Sequence, residues 1–86
     1  MITEPTALSI AKKALKEWDG EPADLELLVR RLDHGWRFEI PRPPGEVIGR
    51  SHPGVTTTGQ VVRIPDGIPD EVANDILAAR AQRPHA

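Results

Sequence analysis

Residues 25–40 read LELLVRRLDHGWRFEI, and this stretch decides the fold. Its first part, residues 25–33, is rich in Leu and Val and predicts a strand. Residues 36–40 alternate apolar and polar side chains, which is typical of a strand that is buried on one face. The residues that join the two parts, Asp-His-Gly at 33–35, predict a hairpin turn. The chain is therefore expected to have an antiparallel hairpin at its centre.

The register of this hairpin depends on the length of its loop. A two-residue loop at 34–35 sets Arg30 opposite Glu39, which is a favourable pair of opposite charges. A three-residue loop sets Arg31 against Arg37 instead, and like charges directly opposite each other are destabilising. We expect the first register.

A helix is predicted at each end of the chain. Thr3 or Thr6 is suited to cap the first helix, and Gly20 is a natural stop. Its apolar stripe recurs at three- and four-residue steps. That stripe comprises Ala7, Leu8, Ala11, Ala14, Leu15 and Trp18. The second helix begins near Pro69. Its buried stripe is expected to comprise Val72, Ala73, Ile76, Leu77 and Arg80.

Two further strands are expected between the hairpin and the second helix. Three prolines within residues 41–44 end the hairpin, because proline cannot donate to a sheet ladder. Residues 45–54 read as an irregular segment. Residues 55–57 and 60–64 are rich in β-branched side chains and flank a glycine turn, so they predict a pair of strands.

These elements predict the α+β fold class, with an N-terminal helix packed on a three- to four-stranded antiparallel sheet and a C-terminal helix. The 86 residues suffice for one small domain over 1–86, in which we expect 82–86 to be a frayed tail. Trp18 closes the first helical stripe and Trp36 opens the second strand. Both indoles are expected in the core, where they could stack against each other.

Charge and composition argue against several classes of function. Eleven Lys and Arg against thirteen Asp and Glu give a net charge of −2, whereas nucleic-acid binders usually carry a strong basic excess. The chain has no cysteine, which excludes a disulfide, a thiolate metal site and a Cys nucleophile. No apolar run approaches the roughly 20 residues that span a bilayer, and no signal-peptide pattern is visible. We expect a cytoplasmic protein that binds neither nucleic acid nor a membrane.

No motif for catalysis, a cofactor or a metal ion stands out. His34, His52 and His85 have a spacing that matches no metal motif. Ser51 and His52 supply a hydroxyl and an imidazole, but neighbours in an extended segment point apart, and nothing marks an orienting acid. The glycines within 49–59 lack the Lys-Ser/Thr ending of a P-loop. We therefore expect no catalytic, cofactor or metal site, and no enzymatic activity.

Arginine is the remaining signal. Arg30, Arg37, Arg42 and Arg50 fall on or near the central strands, and with His52 they are the candidate partner-binding residues. Because arginine suits carboxylate recognition and interface anchoring, this face is predicted to meet an acidic protein partner. An ordinary surface of mixed charge is the alternative. On the first hypothesis, Arg37→Glu abolishes a partner complex without lowering the melting temperature.

Three segments resemble a known family. They are ALSIAKKAL at 7–15, HGWRFEI at 34–40 and TGQVVRIPDGIPDEV at 58–72. Together they resemble the small YrhB-type domains, which are grouped with bacterial immunity proteins of the immunity protein 35 class. That resemblance implies a cytoplasmic protein that neutralises a toxin partner by binding it. A second resemblance is to PepSY-like modules, which place a helix beside a curved sheet and act as inhibitory or chaperone-like segments.

Two alternatives to a protein-binding module stay open. One is a small-ligand-binding or catalytic protein that uses Arg50, Ser51 and His52, for which an apolar pocket beneath these residues would be the sign. The other is a homodimer in which an unpaired edge strand near Val47 or Val55 joins two copies into one sheet.

Overall fold

Two helices and four strands follow one another along the chain, and a computed structural model describes them over residues 1–22, 24–41 and 51–82. The elements are α1 (Glu4–Asp19), β1 (Leu28–Leu32), β2 (Gly35–Glu39), β3 (Ser51–Thr56), β4 (Val61–Pro65) and α2 (Asp70–Ala81). The strands form one antiparallel sheet in the order β1-β2-β3-β4. The predicted α+β fold class, with a helix before and after the sheet, is confirmed.

The two helices begin and end at residues that suit those positions. Thr3 is the N-cap of α1, and Pro5 lies in the first turn, where its missing N–H costs no intrahelical hydrogen bond. Gly20 ends α1 in the left-handed conformation, with φ +70°, and its N–H donates to the carbonyl of Lys16 at 3.0 Å. Pro69 precedes α2 in an extended conformation. Of the predicted tail, residues 83–86 lie outside the described residues.

The helices cover opposite faces of the sheet. The core cluster on the α1 face comprises Ala7, Ala11, Trp36, Phe38 and Val55. The cluster on the α2 face comprises Ile64, Ala73 and Leu77. Strand β3 serves both faces, because successive side chains of a strand point to opposite sides. Val55 packs toward α1, whereas a Cβ on its neighbour Gly54 would lie 3.0 Å from Leu77 of α2.

The stripe predicted for α2 is wrong at Val72. This side chain is 42% exposed, while the neighbouring Ala73 and Leu77 are fully buried. Successive residues of a helix are rotated by about 100°, so a helix that presents Ala73 and Leu77 to the sheet turns Val72 toward solvent.

The β1–β2 hairpin has a different register from the one predicted. Residues 33–34 form the loop, and Arg30 lies opposite Arg37 rather than opposite a glutamate. Gly35 is the first residue of β2 instead of part of the loop. The position requires a glycine because β2 approaches β3 closely there: the φ of Gly35 is +155°, and a Cβ would overlap the carbonyl oxygen of Val55. Strand β1 is also shorter than predicted and spans only Leu28–Leu32.

Strand β3 begins earlier than predicted, so residues 51–54 of the segment expected to be irregular are a strand, while 45–50 lie outside the described residues. It contains Pro53 although it lies between β2 and β4, where a proline lacks one ladder donor. The ladder to β2 accordingly ends at the pair Arg37 and Gly54, next to Pro53.

The edge strands of the sheet are β1 and β4. The expectation that an unpaired edge lies near Val55 is wrong, because Val55 pairs with Trp36 on one side and with Val61 on the other. The second position named for such an edge, Val47, lies outside the described residues.

The two tryptophans do not stack on each other. Trp36 lies under the guanidinium of Arg31 in β1, 4.7 Å from the ring centre, and Trp18 lies under that of Arg63 in β4, at 4.4 Å. Since β1 and β4 are opposite edges of the sheet, the two indoles are held apart by its width. Each forms a cation–π contact instead.

Candidate functional site

Arg37 is the centre of a buried polar cluster on the α2 face of the sheet. Its side chain projects from β2 and the residue is only 3% exposed. The guanidinium Nε donates to Nε2 of His52 at 2.8 Å and lies 3.2 Å from Glu39, and Nη1 donates to Asp70 at 2.9 Å. A charge removed from water is costly unless it is paired and hydrogen-bonded, so these contacts are what allow Arg37 to be buried.

Asp70 links α2 to the sheet by binding two arginines that lie opposite each other in β1 and β2. As the first residue of α2 it accepts from Arg37 and also from Arg30, whose Nη1 lies 3.1 Å from both of its carboxylate oxygens. One carboxylate thus bridges the two like charges that β1 and β2 set opposite each other and reduces their repulsion. It also lies at the N-terminal end of the helix, where negative charge is favoured.

The carboxylate of Asp70 and the guanidinium of Arg30 stabilise each other in the charged form. Partial desolvation acts to raise the pKa of Asp70, but the hydrogen bonds and charges of Arg30 and Arg37 outweigh it and hold that pKa below its usual 3.8. The hydrogen bond to Asp70 raises the pKa of Arg30, and the nearby charge of Glu39 adds to this effect.

His52 is buried beside Arg37 and is held in a defined tautomer. Its Nε2 accepts from Arg37, so that nitrogen carries no proton, and its Nδ1 lies 3.7 Å from a carboxylate oxygen of Asp66. The imidazole is 3% exposed on the α2 face, whereas the adjacent Ser51 points to the other side of β3. The structure therefore does not bring Ser51 and His52 together as a catalytic pair.

An acidic groove opens between the β1–β2 hairpin and the first turns of α2. It encloses about 330 Å³. Its lining comprises Arg31, Leu32, Asp33, Asp70, Glu71, Asn74 and Asp75. The amide oxygen of Asn74 in this lining accepts from the backbone N–H of His34 at 2.9 Å. Four carboxylates against one guanidinium disfavour an anionic ligand in this groove.

The outer edge of β1 carries two exposed aliphatic side chains. Apart from Met1, the large hydrophobic residues exposed in the described chain are Leu28, Val29 and Val72. Leu28 is 57% exposed and Val29 is 41% exposed, and they are neighbours in one edge strand. They lie next to Arg30, whose side chain is 58% exposed. We refer to residues 28–31 as the β1 edge.

The residues predicted to bind a partner fall into three groups. Arg30 is exposed and belongs to the β1 edge. Arg37 and His52 are buried and bound to each other, so the expectation of an open arginine face is wrong for these two side chains. Arg42 and Arg50 lie outside the described residues.

Over 1–22, 24–41 and 51–82, no group of three or more His, Cys, Asp or Glu is placed to hold a metal ion.

Reasoning from the sequence misses two contributors to the site. Asp70 reads as an ordinary acidic residue in the first turn of a helix. A bridging role for Asp70 could be inferred only after Arg30 and Arg37 were known to lie opposite each other, because two facing arginines require a carboxylate nearby. The apolar half of the β1 edge is missed because the pattern in residues 25–33 predicts a strand without showing whether that strand is interior or at an edge.

Comparison of the chain with protein-family models, with curated proteins and with solved structures finds no match. Neither helix in the described part of the chain has the length and apolar character needed to cross a membrane.

Proposed function

We propose that the chain is a non-enzymatic protein-binding module whose partner docks on the β1 edge. The observation that carries the proposal is the exposure of Leu28 and Val29 on an edge strand, where their side chains project from opposite faces of the sheet. Exposed aliphatic side chains on an unpaired edge strand are typical of a surface that another protein covers. An immunity-type role, in which a toxin partner is neutralised in the cytoplasm, is the form of this proposal that the family resemblance implies.

The state of the polar side chains also supports binding over catalysis. The buried imidazole of His52 and the buried guanidinium of Arg37 already satisfy each other and nearby carboxylates. An acid–base or nucleophilic role needs such groups to reach a substrate, and here their donors and acceptors are used inside the fold.

The test is affinity purification of the tagged chain from its source organism, with one substitution in the β1 edge and one matched control. Val29→Lys places a charge on the β1 edge, and Val72→Lys makes the same change on α2 at a valine of nearly equal exposure, 42% against 41%. We expect one protein partner, in comparable molar amount, to be retained by the wild type and by Val72→Lys and lost from Val29→Lys.

Thermal unfolding of the three proteins provides the folding control, because both valines are exposed and neither substitution should lower the melting temperature by more than a few degrees. Retention of the partner by Val29→Lys, or the absence of any stoichiometric partner with the wild type, would contradict the proposed function.

A further inference from the structure

We infer that the partner docks by adding an extended strand to the free side of β1. This inference rests on the proposed function and specifies how the β1 edge binds. It follows from the direction of the backbone groups, from the state of the opposite edge of the sheet and from the chemistry of the exposed side chains.

The direction of the backbone groups in β2 is set by its hydrogen bonds to β3. The N–H of Thr57 donates to the carbonyl of His34 at 3.3 Å, so the backbone of His34 faces β3. Backbone groups alternate between the two sides along a strand. The N–H and C=O groups of Gly35 and Arg37 therefore face β1.

In β1, it follows that Val29 and Arg31 carry the outward backbone groups. Arg30 lies opposite Arg37 and exchanges hydrogen bonds with it. The N–H and C=O groups of its two neighbours then point away from β2, to the open side of the sheet. An added strand would find two donors and two acceptors there, which is the basis of recognition by strand addition.

The other edge of the sheet is less suited to such an addition. The N–H of Thr56 donates to the carbonyl of Gln60 at 2.8 Å, so the outward groups of β4 belong to Val61 and to every second residue after it. The carbonyl of Val61 already accepts from Nε of Arg80 at 3.3 Å. Pro65, at the end of the same row, has no N–H to offer. The outward N–H and C=O groups of Arg63 therefore lie between a carbonyl that is already used and a proline, whereas Val29 and Arg31 of β1 present an uninterrupted row.

The side chains that accompany the outward groups specify the added strand. Val29 and Arg31 share the α1 face, and among the described residues no carboxylate pairs with Arg31. Its guanidinium is stacked on Trp36 and donates through Nη1 to the carbonyls of Leu32 and Gly35. A partner strand with a carboxylate opposite Arg31 and an aliphatic side chain opposite Val29 is complementary, which for an antiparallel addition means an acidic residue followed two positions later by an aliphatic one.

A second copy of the chain fits the same edge less well. In an antiparallel pair of two β1 strands centred on their middle residue, Arg30 of one copy lies opposite Arg30 of the other. Like charges opposite each other disfavour this pair. The occupant that the observations favour is therefore a segment of a different protein with the acidic–aliphatic pattern.

The experiment uses a blocked peptide, Thr-Thr-Glu-Thr-Val-Thr-Thr, and the isotope-labelled full chain observed by NMR. We expect the free chain to exchange the amide hydrogens of Val29 and Arg31 rapidly and that of Arg30 slowly. The peptide should slow exchange at Val29 and Arg31, and replacing its glutamate by lysine should weaken binding by about ten-fold.

A pair of variants separates backbone pairing from side-chain contact. Val29→Pro removes the outward N–H without removing a hydrogen bond to β2, and it should weaken peptide binding at least about ten-fold. Val29→Thr keeps both the N–H and the β-branched shape, and it should bind within about three-fold of the wild type. If Val29→Pro fails to fold, the exchange data on the wild type decide alone.

Several results would overturn the inference. These are unchanged exchange at Val29 and Arg31 with peptide at millimolar concentration, equal binding by Val29→Pro and Val29→Thr, or protection of both amides in a free chain that light scattering shows to be a dimer.

A partner from the source organism that is lost by Val29→Lys but kept by Val29→Pro would leave the proposed function standing and reject strand addition. Peptide binding without any such partner would reject the proposed function alone.

Discussion

Arg37 carries a full positive charge at a position that is 3% exposed, and three polar side chains surround its guanidinium. We expect Arg37→Glu to destabilise the fold by about 3–5 kcal/mol, because it buries a carboxylate beside Glu39 and Asp70 and leaves His52 without its donor. This outcome is opposite to the expectation from sequence, in which Arg37 is an exposed contact whose substitution leaves the melting temperature unchanged.

Arg30→Glu is the matched control, since Arg30 binds the same Asp70 from an exposed position. Its effect on the melting temperature should be small, because exposed ion pairs contribute little. Urea unfolding of both variants compares the two positions, and equal destabilisation would mean that burial is not what distinguishes Arg37.

The lowered pKa of Asp70 makes a separate prediction at the scale of one residue. Because this pKa is lower in the folded chain than in the unfolded one, the stabilisation from ionised Asp70 is complete above about pH 3.8 and is lost as the pH falls through the folded value. The melting temperatures of the wild type and of Asp70→Asn should therefore differ most above about pH 4 and converge below it. Parallel curves from neutral pH down to about pH 2.5 would show that Asp70 is not stabilised by its arginine partners.

At the scale of the elements, Gly35 determines how the β1–β2 hairpin meets β3. Its φ is +155°, and a Cβ at this position would overlap the carbonyl oxygen of Val55, so there is no room for a side chain. Gly35→Ala should cost more than about 3 kcal/mol, because backbone rather than a flexible side chain has to move. Gly20→Ala, at φ +70° with no atom within 4 Å of its Cβ position, should cost only about 1 kcal/mol. Chemical denaturation of the two variants tests this, and a similar loss in both would contradict the close approach.

The elements also show where prediction from the sequence succeeds and where it stops. The helix ends at Gly20 and near Pro69 are local signals, and both are confirmed. The predicted hairpin register is wrong because it rests on charge pairs within the hairpin alone. The deciding contacts come from elsewhere: β3 requires a glycine at position 35, and Asp70 of α2 compensates Arg30 and Arg37. Strand order and edge identity are likewise non-local properties, so the exposure of Leu28 and Val29 could not be predicted.

At the scale of the whole molecule, both helices depend on the same central strand. Val55 of β3 packs toward α1, and the adjacent Gly54 lies against Leu77 of α2, so disordering β3 removes the support of both helices at once. A domain of this kind has no half that retains its own core. It should therefore unfold in a single cooperative step.

The test of that cooperativity uses one truncation on each face of the sheet. Leu15→Ala in α1 and Leu77→Ala in α2 each remove a fully or almost fully buried side chain, and each should cost about 2–4 kcal/mol. In the wild type and in both variants, tryptophan fluorescence, which reports on Trp18 and Trp36 of the α1 face, should give the same urea midpoint as helical circular dichroism. If Leu77→Ala lowers the circular-dichroism midpoint while the fluorescence midpoint stays at the wild-type value, then α2 melts independently of the α1 face, and β3 does not couple the two layers.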